Sequence, residues 1–256
     1  MKLKLIFIIV GIITVISSFA FIAQRKPTLH TIGDSTVRNS NKETWGWGTP
    51  IAALFDTTKL HVENNAMAGR STRTFLSEGR WDKVLESLKS GDFVTMQFGH
   101  NEGSVPDTTK AGRRGVLRGI GKETKELIWP DGKKETVHTY GWYIRKFVRE
   151  TKAKGAIPIV VSMIPRNQFK NGKVVRADKD FGKWAAEVAK EENTFFIDLN
   201  KITADKYDVM GAEKVKTFFP GDHTHTNLQG AIVNAESVVE GLRGVKGCPL
   251  NTYLLN

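Results

Sequence analysis

The chain has 256 residues with a formal net charge of +11, and 40% of its residues are hydrophobic. This length and hydrophobic content suffice for one large domain with a full core, and the single cysteine, Cys248, excludes any intramolecular disulfide. The positive charge favours an acidic partner, such as a membrane surface or a polyanionic glycan. No nucleic-acid-binding motif accompanies the charge, so we expect no nucleic acid partner.

The N-terminal segment has the composition of an export signal. Lys2 and Lys4 precede an uncharged apolar run that extends to residue 23, with the small residue Ala20 inside it. We expect a signal peptide over residues 1–20, with export to the periplasm or the cell exterior. Cleavage would leave no stable membrane partner. The alternative is an uncleaved anchor that ends near residue 26, because the run approaches the length that spans a bilayer.

Residues 27–256 alternate short apolar runs with amphipathic segments, and we expect them to form one domain. Several runs are almost continuously apolar, which is typical of parallel strands covered on both faces. The predicted strands are Thr28–Ile32, Leu60–Glu63, Phe93–Phe98, Ile157–Met163 and Thr194–Ile197. Alternation of strands and helices predicts an α/β fold with a parallel sheet between two layers of helices.

Apolar residues at helical spacing predict the helices between these strands. Thr49-Pro50 can begin the first helix, and Asn227 can cap the last one. The remaining helices are predicted around Trp81, Tyr140 and Phe181. In such a sheet, functional side chains belong at the carboxyl ends of the strands.

One segment, from Glu102 to His138, interrupts this alternation. It is polar and rich in glycine, and it shows no clear period. A loop of this length in a compact domain usually has a function or is mobile. Because it begins next to Asn101, at the end of a predicted strand, we expect an inserted loop that forms a wall or lid over the site.

Ser35 follows the first predicted strand within the tripeptide Gly33-Asp34-Ser35. This tripeptide alone is common in turns, and a serine hydroxyl needs a nearby base to act as a nucleophile. Asp222 and His225, three residues apart before the last helix, can supply the orienting carboxylate and the base. We predict Ser35, Asp222 and His225 as catalytic residues, with His223 as the alternative base.

Two further positions are suited to stabilising an oxyanion. Asn101 ends a predicted strand, and its side-chain amide can donate a hydrogen bond there. Gly69 lies in a loop where the absence of a side chain would let a backbone N–H approach the substrate. Together with the backbone N–H of Ser35, these groups would form an oxyanion hole with three donors.

These patches together resemble the SGNH (GDSL-type) hydrolases, and most closely the rhamnogalacturonan acetylesterase family. The resemblance is carried by Gly33-Asp34-Ser35-Thr36-Val37, Asn65-Ala66-Met67-Ala68-Gly69-Arg70-Ser71-Thr72-Arg73, Gln97-Phe98-Gly99-His100-Asn101 and Asp222-His223-Thr224-His225-Thr226. It implies a flavodoxin-like, three-layer α/β/α fold with a parallel five-stranded sheet. It also implies a serine esterase that removes acetyl groups from pectic polysaccharide through an acyl-enzyme, without a metal or other cofactor.

The family roles carry over to Ser35 as nucleophile, to Gly69 and Asn101 as oxyanion donors, and to Asp222 with His225 as the acid–base pair. Glu102 is a departure, because that family usually has Asp at this position, and the difference bears on substrate fit.

The arginines near these motifs suggest how an acidic substrate would be held. Arg38 is close in sequence to Ser35, while Arg70 and Arg73 flank Gly69. We expect these arginines and His100 to bind substrate, with the arginines forming a cationic rim for an acetylated acidic polysaccharide or oligosaccharide. The alternative for each arginine is an ordinary solvated surface position.

Two other functions remain open at this point. The histidines and aspartates loosely resemble the ligands of dinuclear metallophosphoesterases, although the chain lacks the early Asp-x-His that such a site requires. A basic exported domain could also bind acidic glycan without catalysis. The complete set of nucleophile, base and oxyanion donors argues against that second alternative, because a binding protein needs no base.

Overall fold

The central sheet has five parallel strands in the order β2-β1-β3-β6-β9. The computed structural model describes residues 25–39 and 43–255, so the expected signal peptide, over residues 1–20, lies outside the described residues. The strands in chain order are β1 (Thr28–Gly33), β2 (His61–Asn64), β3 (Phe93–Gln97), β4 (Thr124–Ile128), β5 (Lys134–His138), β6 (Ile157–Val161), β7 (Phe169–Lys170), β8 (Lys173–Val174) and β9 (Phe195–Ile197). All five sheet strands predicted from the sequence are confirmed.

The sheet is covered on both faces, which explains the continuous apolar runs. Strands β1 and β3 are buried at every position. Adjacent residues of a strand point to opposite faces, so Val160 and Val161 of β6 enter two different cores. One core contains Trp81, Phe147 and their neighbours, and the other contains Ile51 and Val238. These two cores confirm the three-layer α/β/α architecture.

Seven α-helices are found in the described residues. They are α1 (Thr72–Ser77), α2 (Arg80–Ser87), α3 (Tyr140–Ala153), α4 (Phe181–Glu191), α5 (Leu199–Met210), α6 (Ala212–Lys216) and α7 (Leu228–Gly244), and short 3₁₀ helices cover Pro50–Leu54, Gly112–Arg114 and Pro249–Tyr253. The helix expected at Pro50 is therefore a 3₁₀ turn, and α1, α5 and α6 were not predicted. Within this part of the chain, none of the helices combines the length and apolarity needed to cross a membrane.

The start of α7 is fixed by the residue predicted to cap it. The Asn227 side chain accepts a hydrogen bond from the Gly230 N–H at 3.0 Å. The preceding residue, Thr226, is joined to Trp45 by two hydrogen bonds, from Trp45 N to Thr226 O at 2.7 Å and from Thr226 Oγ1 to Trp45 O at 3.1 Å. The chain just before α7 is thus attached to the segment that follows Ser35.

The segment from Glu102 to His138 is more ordered than the predicted loop. Its C-terminal half forms an antiparallel hairpin of β4 and β5, with Thr124 paired to His138. Exposed and half-buried positions alternate along β4, so the hairpin lacks the apolar face that would have indicated strands. The prediction of an irregular segment is therefore wrong for this half.

Candidate active site

Ser35 lies in a rigid turn at the carboxyl end of β1. The buried carboxylate of Asp34 accepts hydrogen bonds from Thr36 N at 2.8 Å and Thr36 Oγ1 at 2.7 Å. Gln97, at the end of β3, donates from Nε2 to Thr36 Oγ1 at 2.6 Å and accepts from Trp47 Nε1 at 2.7 Å. This network fixes the backbone on both sides of Ser35, so the position of the hydroxyl is determined before any substrate binds.

His225 and Asp222 complete the constellation from the loop before α7. His225 Nε2 lies 2.9 Å from Ser35 Oγ, and His225 Nδ1 lies 2.6 Å from Asp222 Oδ2. The other carboxylate oxygen of Asp222 accepts the backbone N–H groups of Thr224 and His225. The structure therefore brings together the three side chains that were expected to act as nucleophile, base and orienting carboxylate.

Asp222 is held in its charged form. Partial burial would raise the pKa of Asp222, but the hydrogen bonds from His225 and from the backbone outweigh burial and lower that pKa to about 2. The carboxylate therefore fixes the imidazole through Nδ1 and can stabilise positive charge on the ring. His223, the alternative base, is exposed, and its carbonyl accepts a hydrogen bond from Asn167 N at 2.8 Å.

The predicted oxyanion donors lie on segments that follow neighbouring strands, β1 and β3, and on the loop that follows β2. Gly69 has a φ of +75°, a left-handed conformation that strains other residues, and its loop is anchored to β1 by the Met67 N–H to Gly33 O bond at 3.1 Å. Among the described residues, the N–H groups of Ser35 and Gly69 donate to no protein acceptor. Both groups are therefore available to a developing oxyanion.

The orientation of the Asn101 amide is set by the protein. Asn101 Nδ2 donates to Arg70 O at 3.0 Å, and Asn101 Oδ1 accepts from Arg114 Nη1 at 3.2 Å. A side-chain amide nitrogen carries two N–H groups, so the second one can still donate to a substrate oxygen. Arg114 was not identified from the sequence, since it lies in the segment that showed no period.

The buried Glu102 side chain holds the backbone of Asn101 through a hydrogen bond. This side chain is 1% exposed and accepts hydrogen bonds from Asn101 N at 2.9 Å and from Thr72 N, at the start of α1, at 2.8 Å. Burial and the nearby charge of Asp34 raise the pKa of Glu102 to about 8. The sequence linked this residue to substrate fit, but the structure places its carboxyl against the backbone of Asn101, the predicted oxyanion donor.

His100 is a structural link within the site. Its side chain is 2% exposed, and its ring nitrogens lie 3.2 Å from Asp34 Oδ2 and 3.1 Å from Ile164 O. Burial would raise the pKa of Asp34, but the His100 ring and the Thr36 hydrogen bonds hold it below its usual range. Both ring nitrogens are already engaged within the protein, so the expectation that His100 binds substrate stays a prediction that these contacts do not support.

The expected cationic rim does not include Arg73. Its side chain is 1% exposed and forms two hydrogen bonds with the Glu135 carboxylate, at 2.8 and 2.6 Å. The remaining guanidinium nitrogen donates to the carbonyls of Gly112 and Gly115. The prediction that Arg73 binds substrate is therefore wrong, since it joins α1 to the segment that follows Glu102.

Arg38 and Arg70 remain near the surface. Arg38 donates to Asn64 O at 3.1 Å, and Arg70 forms an ion pair with Glu78 at 2.9 Å. Over residues 25–39 and 43–255, no three His, Cys, Asp or Glu side chains form a cluster suited to a metal ion.

Comparison with known proteins identifies the family of this chain. Residues 31–231 match the model of the GDSL-like lipase/acylhydrolase family. The chain is 33% identical over 227 residues to the rhamnogalacturonan acetylesterase of Emericella nidulans, a match that covers 89% of each protein. It is 28% identical over 242 residues to the rhamnogalacturonan acetylesterase RhgT of Bacillus subtilis, covering 88% of this chain and 92% of RhgT.

Solved structures show the same fold. The crystal structure of protein YxiM from Bacillus subtilis superposes with a TM-score of 0.68 and 25% identity over 88% of this chain, which spans 58% of the YxiM chain. The structure of Axe2, an acetylxylan esterase from Geobacillus stearothermophilus, gives a TM-score of 0.55 at 17% identity and covers 88% of this chain and 95% of Axe2. The chain therefore belongs to the GDSL-like lipase/acylhydrolase family, and it is a carboxylic ester hydrolase of the SGNH type.

Proposed function

We propose that this protein is an acetylesterase that removes acetyl groups from a pectic, rhamnogalacturonan-type polysaccharide through a Ser-His-Asp mechanism. The observation that carries the mechanism is the pair of contacts made by one imidazole ring. His225 lies 2.9 Å from Ser35 Oγ through Nε2 and 2.6 Å from Asp222 through Nδ1. This is the arrangement that activates a serine hydroxyl at neutral pH.

In the first half of the reaction, Ser35 Oγ attacks the acetyl carbonyl carbon while His225 Nε2 takes the hydroxyl proton. The carbonyl oxygen becomes an oxyanion and accepts hydrogen bonds from Ser35 N, Gly69 N and Asn101 Nδ2. The tetrahedral intermediate then collapses. His225 returns the proton to the departing sugar oxygen, and the acetyl group stays on Ser35 as an ester.

In the second half, water replaces the sugar hydroxyl. His225 takes a proton from the water, whose oxygen attacks the acetyl carbon, and the same three donors stabilise the second oxyanion. Collapse breaks the bond to Ser35 Oγ, which recovers its proton from His225, and acetate leaves. Asp222 stays ionised throughout and stabilises the positive ring in both halves.

Two observations support a pectic substrate. The relatives from Emericella nidulans and Bacillus subtilis, which match most of this chain, carry the name rhamnogalacturonan acetylesterase. The formal net charge of +11, which becomes +9 once residues 1–20 with Lys2 and Lys4 are removed, also favours a substrate that contains carboxylates, such as a polysaccharide rich in uronic acid.

The test compares the enzyme with its Ser35→Ala variant on acetylated rhamnogalacturonan, on acetylated xylan and on an aryl acetate, with and without a chelator. We expect acetate release from the pectic substrate that depends on Ser35 and is insensitive to the chelator. Release from the aryl acetate and xylan alone would retain the mechanism and reject the substrate. Binding of the glycan without release of acetate from any ester would reject the esterase.

Export is a further part of this proposal, and it rests on the composition of residues 1–20. N-terminal sequencing of the protein made in a bacterial host measures it directly. A mature N-terminus immediately after Ala20 is expected. An intact N-terminus in the membrane fraction would indicate an anchor instead.

A further inference from the structure

A cavity opens at the carboxyl ends of β3 and β6, the same edge of the sheet that carries Ser35 after β1. It has a volume of about 280 Å³ and opens between Gly99-His100, which follow β3, and the segment 163–168, which follows β6. Three arginines line it, Arg118, Arg166 and Arg176, and we call it the arginine pocket. A concave site with a few polar groups among apolar walls is the usual form of a ligand-binding pocket.

The position of this pocket relates it to the nucleophile. Strands β1, β3 and β6 are adjacent and parallel, so their carboxyl ends meet at one edge of the sheet. Neighbouring strands lie about 4.8 Å apart, which places the end of β6 roughly 10 Å from the end of β1 and Ser35. The Asn167 N–H also donates to His223 O at 2.8 Å, which connects the segment after β6 to the loop that carries His225. A polysaccharide bound at Ser35 can therefore extend into the pocket.

The three arginines differ in how their charges are compensated. Arg176 forms ion pairs with Asp205 and Asp208, both at 2.7 Å. Arg118 is 63% exposed, and its ion-pair contact to Asp180 is long, at 4.0 Å. In the described part of the chain, Arg166 forms no ion pair at all. The pocket therefore has uncompensated positive charge, and most of it comes from Arg166.

Arg166 also has an unused donor. Its Nη2 donates to His100 O at 3.2 Å, whereas its buried Nε has no hydrogen-bond partner within the described residues. A buried N–H without an acceptor costs about 1–3 kcal/mol, so such groups are rare in proteins unless a ligand or water supplies the acceptor. The missing acceptor, together with the absence of an ion pair, leaves the hydrogen-bonding capacity of Arg166 incompletely used within the described residues.

We propose that the arginine pocket binds the carboxylate of a uronic acid residue that neighbours the acetylated sugar. A carboxylate in the pocket can accept from two N–H groups of the Arg166 guanidinium, which is the paired geometry that distinguishes Arg from Lys. Arg118 adds charge at the mouth, where its guanidinium lies 5.7 Å from the Phe181 ring centroid. The Phe181 ring and Met163 provide an apolar wall for the sugar. This inference rests on the proposed function, because it assumes a glycan ester at Ser35.

The test uses one acetylated uronic acid oligosaccharide in two forms, as the free acid and with its carboxyl groups converted to methyl esters. Only released acetate is measured, so cleavage of the methyl esters does not interfere. For each variant, the quantity compared is kcat/KM for the acid divided by kcat/KM for the ester. A purely structural defect lowers both terms and leaves this ratio unchanged.

We expect the wild-type enzyme to prefer the acid, and Arg166→Gln to lower the ratio about 10-fold, because a hydrogen-bonded charge is lost. Arg166→Lys should recover part of the preference for the acid, because lysine restores the positive charge but lacks the paired N–H groups of a guanidinium. Arg118→Gln should lower the ratio less. The matched control is Arg243→Gln, which removes the same charge near the far end of α7, roughly 20 Å along the helix from its first residue.

The outcomes separate the two proposals. If the wild-type enzyme releases acetate equally well from acid and ester, the carboxylate site is wrong and the esterase stands. If Arg166→Gln lowers both terms equally, Arg166 acts only through His100, and the inference fails. If the wild-type enzyme releases no acetate from either form, the proposed function itself fails.

Discussion

Glu102 provides the sharpest test of the electrostatics beneath the oxyanion site. Its carboxyl is 1% exposed, and burial together with the Asp34 charge raises the pKa of Glu102 from its ordinary 4.5 to about 8. A raised carboxyl pKa means that the folded protein binds the proton more tightly than the unfolded chain does. The resulting stability is fully present below pH 4.5 and is lost as the pH rises towards 8.

The magnitude follows from the size of this difference. Each pKa unit corresponds to 1.36 kcal/mol, so a difference of roughly 3.5 units predicts a loss of about 5 kcal/mol between pH 4.5 and pH 8. Above pH 8 the carboxyl is ionised in both states, and Glu102 contributes no further change. A loss of this size is a large fraction of the 5–15 kcal/mol that typically stabilises a domain.

The assay compares urea unfolding of the wild type and Glu102→Gln at several pH values. At pH 5, the Glu102→Gln variant should be less stable than the wild type by about 1–3 kcal/mol. The reason is that the Gln side chain has one acceptor oxygen, whereas Glu102 accepts hydrogen bonds from two N–H groups. This deficit should shrink and reverse by pH 8, because the wild type alone carries the titrating carboxyl. Other groups titrate equally in both proteins and cancel in the difference.

A constant difference between pH 5 and pH 8 would refute this reasoning. It would mean that the Asn101 and Thr72 N–H groups keep Glu102 ionised at every pH in the range. The kcat of Glu102→Gln on an aryl acetate at pH 8 then reports on Asn101. A kcat equal to that of the wild type would mean that Asn101 keeps its position after the substitution.

Three further predictions concern the site and its support. Asp222→Asn should lower kcat roughly 10⁴-fold, because it removes the charge that orients His225. In the wild type, protonation of Asp222 should not reduce activity until the pH nears the Asp222 pKa of about 2. A decrease in kcat of less than tenfold for Asp222→Asn would contradict this role. In Gly69→Ala the added Cβ meets no atom within 4 Å, so the cost should be about 1–2 kcal/mol of backbone strain, measured by thermal melts. Relief of that strain should displace the backbone N–H of residue 69 and lower kcat for acetate release. An unchanged kcat would contradict the expectation that this position needs a glycine for activity. Arg73→Leu should lower the free energy of unfolding by about 3–5 kcal/mol, because it leaves the Glu135 carboxylate unpaired. The control, Arg243→Leu at an exposed position, should cost little in the same urea titration. Equal costs for the two variants would argue against a stabilising role of the buried pair.

The sequence predicted the sheet well because burial on both faces leaves a strong signal. Strand β6 is apolar at every position, and a short apolar run of this kind is typical of a strand covered on both faces. The hairpin of β4 and β5 has no such signal, since exposed and half-buried positions alternate along β4 and only Val137 of β5 is fully buried. Helix α5 was missed for a related reason, because polar residues such as Asn200 and Thr203 occupy its buried face.

The site residues could be predicted where the reaction requires a particular type of side chain. They were harder to predict where the contacts of a residue depend on how the fold packs. Ser35, Asp222 and His225 could be identified because few other residues can perform these roles at that spacing. Arg73 misled the prediction, since a charged residue is rarely buried and only the fold reveals its partner Glu135. Arg166 was missed because its unpaired Nε is a property of three-dimensional packing.

The distance along the chain between the nucleophile and its base has a consequence for biosynthesis. Ser35 and His225 are 190 residues apart, whereas every strand of the central sheet ends by Ile197. A nascent chain that has emerged as far as β9 contains the whole sheet and an inert serine. If Ser35 acts with His225 as we propose, ester hydrolysis begins only when the last part of the polypeptide docks beside the first. A translation product that stops before His225 is therefore expected to be inactive.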